Sequence, residues 1–437
     1  MRPSPKKSFP PSRLPVCSAL LLCVLPLIAR ADTTLPAWNE PGDLPVPSWA
    51  KAIAPKRAEV PIFRTPGESD QKRGTTMMNV RLPLYGMKRG SQCGGRWMLV
   101  GPEAWVCSDA MDLVADPPFV PDLAPTPDGL PFHYYFVGRN GAPAFTSLLV
   151  VPDMAPDATL DPGFAVAIGD ERVMAGQPFG RSHSGYWIPL RDLGAARPSG
   201  FHGEDVSVRG LSIGWILPDH ANVYSAPSGS AKVVGSHVRF EVVGWREEKT
   251  TFVRVSDDGV TPAAWMKRSD LAHPSLAAPP SDAGPGEKWI DVELASQTLV
   301  AYVGDKPTFA TLVSTGRGAK GSETATPPGT HRLWVKLTSS TMDNLPSPNE
   351  EASSSIDEPV DRFSIEDVPY VQFFDRGVAL HGAFWHSSFG KPKSHGCVNL
   401  SPLDARALFE FTAPHLPRGW SAVLPSSTEK GTLIRIR

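Results

Sequence analysis

Apolar and polar positions alternate most cleanly in the last third of the chain. Ile290, Val292 and Leu294 alternate with Asp291 and Glu293, which predicts a strand with one buried face. Thr298 to Val303 and Thr308 to Val313 follow, separated by the turn composition Gly304-Asp305-Lys306-Pro307, so a hairpin is expected. Another strand is expected near Leu333 to Leu337. The polar excursion from Thr338 to about Asp367, rich in Ser, Glu and Asp, reads either as a lid over a cleft or as a disordered insert. Further on, Ser401 is placed to cap a helix with Pro402 at its first position and Asp404 as the capping-box acid, and Leu403, Ala407, Leu408 and Phe411 supply its apolar stripe. The pattern predicts a mainly β fold with one or two short helices.

Upstream, short apolar runs recur in a fixed layout. Val60-Pro61-Ile62-Phe63-Arg64-Thr65-Pro66-Gly67 opens a segment that closes with Trp105-Val106 and Asp112-Leu113. Asn222-Val223-Tyr224-Ser225-Ala226-Pro227-Ser228-Gly229 opens a second, which closes with Trp265 and Asp270-Leu271. The two make an internal repeat of about fifty residues, spanning 58–116 and 207–276. Between them, 117–206 carries strand-like runs at Tyr134 to Val137 and Phe164 to Ile168 and an echo of the closing signature at Trp187 and Asp192-Leu193. It reads as a diverged third copy or as an unrelated β insert. Residues 32–57 are proline-rich and expected to form a linker, and 277–287, rich in Pro, Gly and Ala, are expected to be an exposed linker before a last domain at 288–437.

Composition sharpens this picture. The chain has 47 prolines in 437 residues, about twice the ordinary ~5%, which favours short strands over long helices. Forty-three basic against forty-five acidic residues leave a net charge of −2, so no basic field for nucleic acid is present. Residues 1–31 read as a secretory signal, with Arg2, Lys6, Lys7 and Arg13 ahead of an apolar run from Leu14 to Ile28 and a small-x-small site at Ala29-Arg30-Ala31. That run is shorter than the ~20 residues of a membrane helix, so no membrane span is expected after cleavage, and export to the periplasm or cell wall is; the other readings are an uncleaved anchor and a lipid anchor at Cys23, against which the large residues Leu20, Leu21 and Leu22 count. Removing the signal leaves Cys93, Cys107 and Cys397. Cys93 and Cys107 can pair in an oxidising compartment or stay as two free thiols; Cys397 is then the unmatched one.

Cys397 lies in Ser394-His395-Gly396-Cys397-Val398-Asn399-Leu400, preceded by His381-Gly382. A thiol with glycine and two histidines near it has the composition of a nucleophile with its base and oxyanion donors. His381 is the preferred base, and His395, inside a tight turn, is expected to hold the loop. His381, His386, His395 and Cys397 also compose a zinc ligand set, but their spacing matches no common finger, so neither metal nor cofactor is expected. Phe384, Trp385 and Phe389 are candidates to line a substrate groove, as are Tyr370 and Gln372, although alternation leaves open which side of their strand they face.

The order Ser314-Thr315-Gly316, Thr326-Pro327-Pro328-Gly329, Val368-Pro369-Tyr370-Val371-Gln372-Phe373-Phe374, Ala379-Leu380-His381-Gly382 and the Cys397 motif resembles the L,D-transpeptidase (YkuD-type) family across residues 288 to 425. The resemblance implies a β-rich domain acting on peptidoglycan stem peptides, with Cys397 the nucleophile, His381 the base and the Gly382 carbonyl orienting the imidazole. It also implies an oxyanion hole from the amides of His395, Gly396 and Cys397. Many members carry arginine where this chain has Asn399, and others carry asparagine. The repeats at 58–116 and 207–276 resemble bacterial SH3-like modules, small barrels of about five short strands, which implies docking on the cell wall; the other use of such modules is as spacers.

Overall fold

The computed structural model describes residues 42–68, 70–121, 126–150, 155–256, 264–345 and 362–437. The predicted signal, the start of the proline-rich arm and the middle of the 338–367 excursion lie outside the described residues. The fold is mainly β, with a single α-helix among the described residues. None of their helices is long and apolar enough to cross a membrane.

The last domain is built on two sheets. In the first, Lys288–Glu293 pairs antiparallel with Thr298–Val303, and parallel with Leu433–Ile436 from the other end of the domain. This strand is covered on both faces, not one. Ile290 and Val292 enter a core with Leu299, Leu380, Val398 and Leu408, while Trp289 packs with Phe201, Trp215 and Tyr302 on the opposite side. Asp291, only 1% exposed, is tolerated between them because its carboxylate accepts from Nε of Arg435 at 2.7 Å and Nε of Arg437 at 2.8 Å.

In the second sheet, Val335–Asp343 pairs antiparallel with Ser364–Asp375, which pairs with Val378–Gly382, which in turn pairs parallel with Val398–Leu400. The two ends of the polar excursion are therefore strands in register, Asp343 opposite Ser364, and not loop. The helix Pro402–Phe411 packs over this sheet, its Ser401 hydroxyl accepting from Asp404 N–H. Its buried residues are Pro402, Asp404, Ala405, Leu408 and Phe409, so the predicted stripe is rotated and Ala407 faces solvent. Asp404 does not close a capping box. Its carboxylate accepts from Gly203 N–H at 2.8 Å and from the Thr311 hydroxyl, tying an upstream segment to the helix.

Three upstream segments share one layout, in which the last strand returns to pair with the first after a single 3-10 turn. The pairs are Ala52–Pro55 with Met111–Val114, His133–Val137 with Leu193–Ala195, and Ile213–Ile216 with Leu271–Ala272. The turns are Ser108–Ala110, Leu190–Asp192 and Arg268–Asp270. Residues 117–206, for which the sequence left two readings, thus carry the same strand order as their neighbours. Residues 52–55 are a correction to the 32–57 linker: Ile53 is fully buried and opposes Leu113.

These segments pair and pack directly with the last domain. Lys72–Thr76 pairs with Trp420–Val423, Glu204–Asp205 pairs with Lys306–Leu312, and Ala165 bridges to Ile365. Glu366 accepts from Ala167 N–H at 2.9 Å, and Tyr134 stacks on Phe384 at 4.1 Å. Sheets and cores run across the boundaries.

Candidate active site

The parallel pairing of Val378–Gly382 with Val398–Leu400 places His381 beside Asn399 in register and starts the second strand immediately after Cys397. A cleft of about 760 Å³ opens there, lined by Cys397, His381, Trp385 and Asn399 together with Arg317, Lys393 and His395. The paired strand ends around Met342 and Ile365 form another wall. Cys397 is the free cysteine among the described residues and is partly exposed; Cys93 and Cys107 are joined in a disulfide.

The Cys397 loop is held from three directions. Gly396 has a φ of 128°, a backbone region that side chains disfavour. Its carbonyl accepts from the Thr326 hydroxyl at 2.7 Å, and Gly316 N–H donates to the same hydroxyl at 2.8 Å, so the Ser-Thr-Gly and Thr-Pro-Pro-Gly motifs act together as a brace. Ser394 donates its hydroxyl to the Cys397 carbonyl and accepts from Gly396 N–H at 3.1 Å. That last bond engages the Gly396 amide, one of the three expected oxyanion donors, with the Ser394 hydroxyl.

His381 is buried, at 2% exposure, and its Nδ1 lies 3.2 Å from the Gly382 carbonyl oxygen. A carbonyl only accepts, so Nδ1 carries the proton and Nε2 the lone pair. Burial lowers the ring's pKa to about 4, against a smaller raising effect of the Gly382 bond, so the imidazole is neutral and able to accept a proton. Burial also pushes the Cys397 thiol up, with a backbone hydrogen bond from Ala379 opposing. The resting pair is thiol and neutral imidazole. Trp385 lies over His381, ring centroids 5.7 Å apart.

His395 is placed differently. It is exposed, its Nε2 is 2.6 Å from Nη2 of Arg317, and its ring lies parallel to that of Phe363 at 5.7 Å. A guanidinium only donates, so this nitrogen is already engaged as an acceptor. Sequence reasoning missed His386 except as a metal ligand. Its Nδ1 accepts from Ser388 N–H at 3.1 Å and its Nε2 lies 2.9 Å from the Asn399 carboxamide, a link that steadies Asn399 beside His381. Burial lowers its pKa to about 4 as well. It also missed Arg317, Lys393 and Phe363, which come from separate loops and carry no motif.

Of the proposed groove residues, Trp385 lines the cleft, while Tyr370 and Gln372 do not. Tyr370 has a φ of 58°, and its hydroxyl is turned into the core, donating to the Gly129 carbonyl at 2.8 Å. Gln372 is fully buried under the helix end, accepting from the Thr412 hydroxyl. Phe384 and Phe389 are also buried, as packing against the upstream segments. Among the described residues, no three of His381, His386, His395 and Cys397 converge closely enough to share a metal ion.

No curated protein matches the chain. An L,D-transpeptidase from Enterococcus faecium, in mutant form, is 20% identical over 35% of this chain and 50% of its own, with a TM-score of 0.24. The chain thus spans about half the length of that protein. An L,D-transpeptidase from Stackebrandtia nassauensis is 26% identical over 36% and 58%, TM-score 0.23. One from Mycobacterium smegmatis is 16% identical over 62% and 99%, TM-score 0.26. The family assignment rests on residues 287–436, which match the L,D-transpeptidase catalytic domain as a family: this part of the chain is a YkuD domain.

Proposed function

We propose that the protein is a peptidoglycan L,D-transpeptidase in which Cys397 transfers an acyl group from a tetrapeptide stem. The observation that carries this reading is a free thiol and a buried neutral imidazole, tied at Nδ1, lining one cleft. The thiol sulfur attacks the carbonyl of the diaminopimelate that precedes the terminal D-alanine, as its proton passes to Nε2 of His381. The tetrahedral intermediate collapses, the C–N bond breaks, and D-alanine leaves with the proton held by His381. A thioester to Cys397 remains. An amine then attacks, giving its proton to His381, and the thiol is regenerated as the new amide forms.

The side-chain amine of a second stem gives a crosslink, a lipoprotein lysine gives protein attachment, and water gives a carboxypeptidase. The cationic residues Arg317 and Lys393 in the cleft support a donor with free carboxylates, as a stem has. Export to the periplasm or cell wall is proposed on the basic and apolar N-terminal pattern and on the Cys93–Cys107 disulfide. For the upstream repeats we propose an SH3-like character and contact with the wall, supported by their recurring strand order.

Mass spectrometry of products from purified disaccharide-tetrapeptide tests the proposal. Loss of D-alanine with formation of a dimer is expected, and Cys397→Ala abolishes both, together with covalent capture of a carbapenem. Product formation by Cys397→Ala would overturn the assignment of the nucleophile.

A further inference from the structure

A second cleft, of about 560 Å³, lies between the first repeat, residues 118–120 and the approach to the strand Trp420–Val423. It shares no lining residue with the Cys397 cleft. Its charged lining is Arg73, Arg81 and Arg418, with no Asp or Glu. The walls are apolar, and two aromatic rings at the cleft are left open to solvent, Tyr85 at 55% and Phe119 at 47% exposure.

Arg73 is the unusual member. It is 6% exposed, its guanidinium lies 5.7 Å over the Trp420 ring, and one terminal nitrogen donates to the Leu424 carbonyl. Its Nε has no partner, and among the described residues no carboxylate pairs with it. Glu429 and Glu103 act on it only through space. A buried cation without a counter-charge destabilises a fold, and an apolar side chain of similar volume would do better in its place. Arg81 stands beside it, its Nε donating to the Pro117 carbonyl at 2.8 Å and its guanidinium 5.0 Å over Phe119. A neutral sugar would leave these guanidiniums unpaired, and the net charge of −2 provides no extended basic field for a polyanion. A short ligand with carboxylates on an apolar body fits both cations and walls.

We propose that this cleft binds an acidic peptide, with Arg73 and Arg81 pairing its carboxylates and Tyr85 and Phe119 packing against its apolar part. The site is independent of the acyl-transfer reading and stands or falls on binding alone.

The test is titration calorimetry and thermal unfolding of the full chain with the capped peptide Ac-Glu-Ala-Glu-NH2, and with Ac-Gln-Ala-Gln-NH2 as the neutral control, at constant ionic strength. The acidic peptide is expected to bind and raise Tm, and the neutral one to do neither. Arg73→Met is expected to start from a higher Tm and to bind roughly tenfold or more weakly, the loss of a charge-assisted hydrogen bond. Arg81→Met is expected to weaken binding with Tm unchanged. Equal binding of the two peptides would overturn the proposal. So would a lower Tm with undiminished binding in Arg73→Met, which would make that residue only a clamp on Leu424. Loss of binding in Arg317→Met but not in Arg81→Met would place the acidic peptide in the Cys397 cleft.

Discussion

Nδ1 of His381 donates to the carbonyl oxygen of Gly382, its successor on the same strand, at 3.2 Å. That contact selects the tautomer whose Nε2 can receive the Cys397 proton, and burial keeps Nε2 unprotonated at rest. In the proposed mechanism the pair becomes charged only when substrate is attacked, unlike cysteine enzymes that rest as thiolate and imidazolium.

The pH dependence follows with a definite sign. His381 is lowered from 6.5 to about 4, so the base is lost only as pH falls through about 4. The rate of Cys397 acylation by a carbapenem, followed by intact mass, should stay level from pH 7 to about 5. A decline centred near 6.5 would show an ordinary exposed histidine acting as base.

The two histidines should separate by mutation. His381→Ala should slow acylation roughly 10²- to 10⁴-fold, the usual worth of a positioned base. His395→Ala should leave the base in place and act through Arg317, whose partner it is. Recovery of turnover at high pH in His395→Ala but not in His381→Ala would reverse the roles.

Arg317 and Lys393 line the Cys397 cleft without a carboxylate partner among the described residues. Arg317→Ala should raise KM for a stem with a free terminal carboxylate by roughly tenfold, a charge-assisted hydrogen bond's worth, and leave kcat nearly unchanged. Equal KM changes for an amidated stem would remove the carboxylate from the explanation.

Asp404 links pH to the docking of the 203 segment. Burial raises its carboxyl from 3.8 to about 6, despite the opposing bonds from Thr311 and Gly203. Between those values the folded chain holds a proton that the unfolded chain has released. Its contribution to stability is thus full below pH 3.8 and lost as pH rises through about 6. Asp404→Asn should raise Tm at pH 8, by up to ~3 kcal/mol in stability, with the gap roughly halved at pH 5 and closed below pH 3.8. Asp404→Ala should lose about 1–3 kcal/mol at low pH, because Gly203 N–H is left without its acceptor, and this loss should shrink as pH rises through about 6, where the parent bears the cost of its buried charge.

Residues 287–437 expressed alone should be poorly soluble or lack fixed near-UV dichroism. Trp289, Phe384 and Phe389 lose their cover, and Trp420–Val423 loses the neighbour that closes its edge. A soluble fragment that acylates at the full-length rate would show that the upstream segments are dispensable to the fold.

The candidate site was legible in the sequence because its parts are short-range: a thiol, a glycine and a turn within one motif, and a His-Gly pair whose own carbonyl holds the ring. Docking was not, because it depends on contacts such as Asp404 with Gly203 and Tyr134 with Phe384, between residues hundreds of positions apart. Tyr370 and Gln372 defeated the alternation rule for a local reason. Positive φ angles at Asp367 and Tyr370 and register shifts along Ser364–Asp375 break the two-residue period that would have told its faces apart. Asp404 was misassigned because a capping acid and a buried long-range acceptor look alike in sequence.

The strand Leu433–Ile436 lies between Lys288–Glu293 and Gly329–Arg332 and bonds to both. That strand sits one place in from the edge of its six-stranded sheet, and its partners Trp289 and Ile290 lie some 140 residues away in sequence from Leu433 and Ile434. Closing so long a loop is slow. The sheet carrying Trp289 and Ile290 therefore stays unfinished until two segments far apart in sequence have met, which makes this pairing a late event in folding.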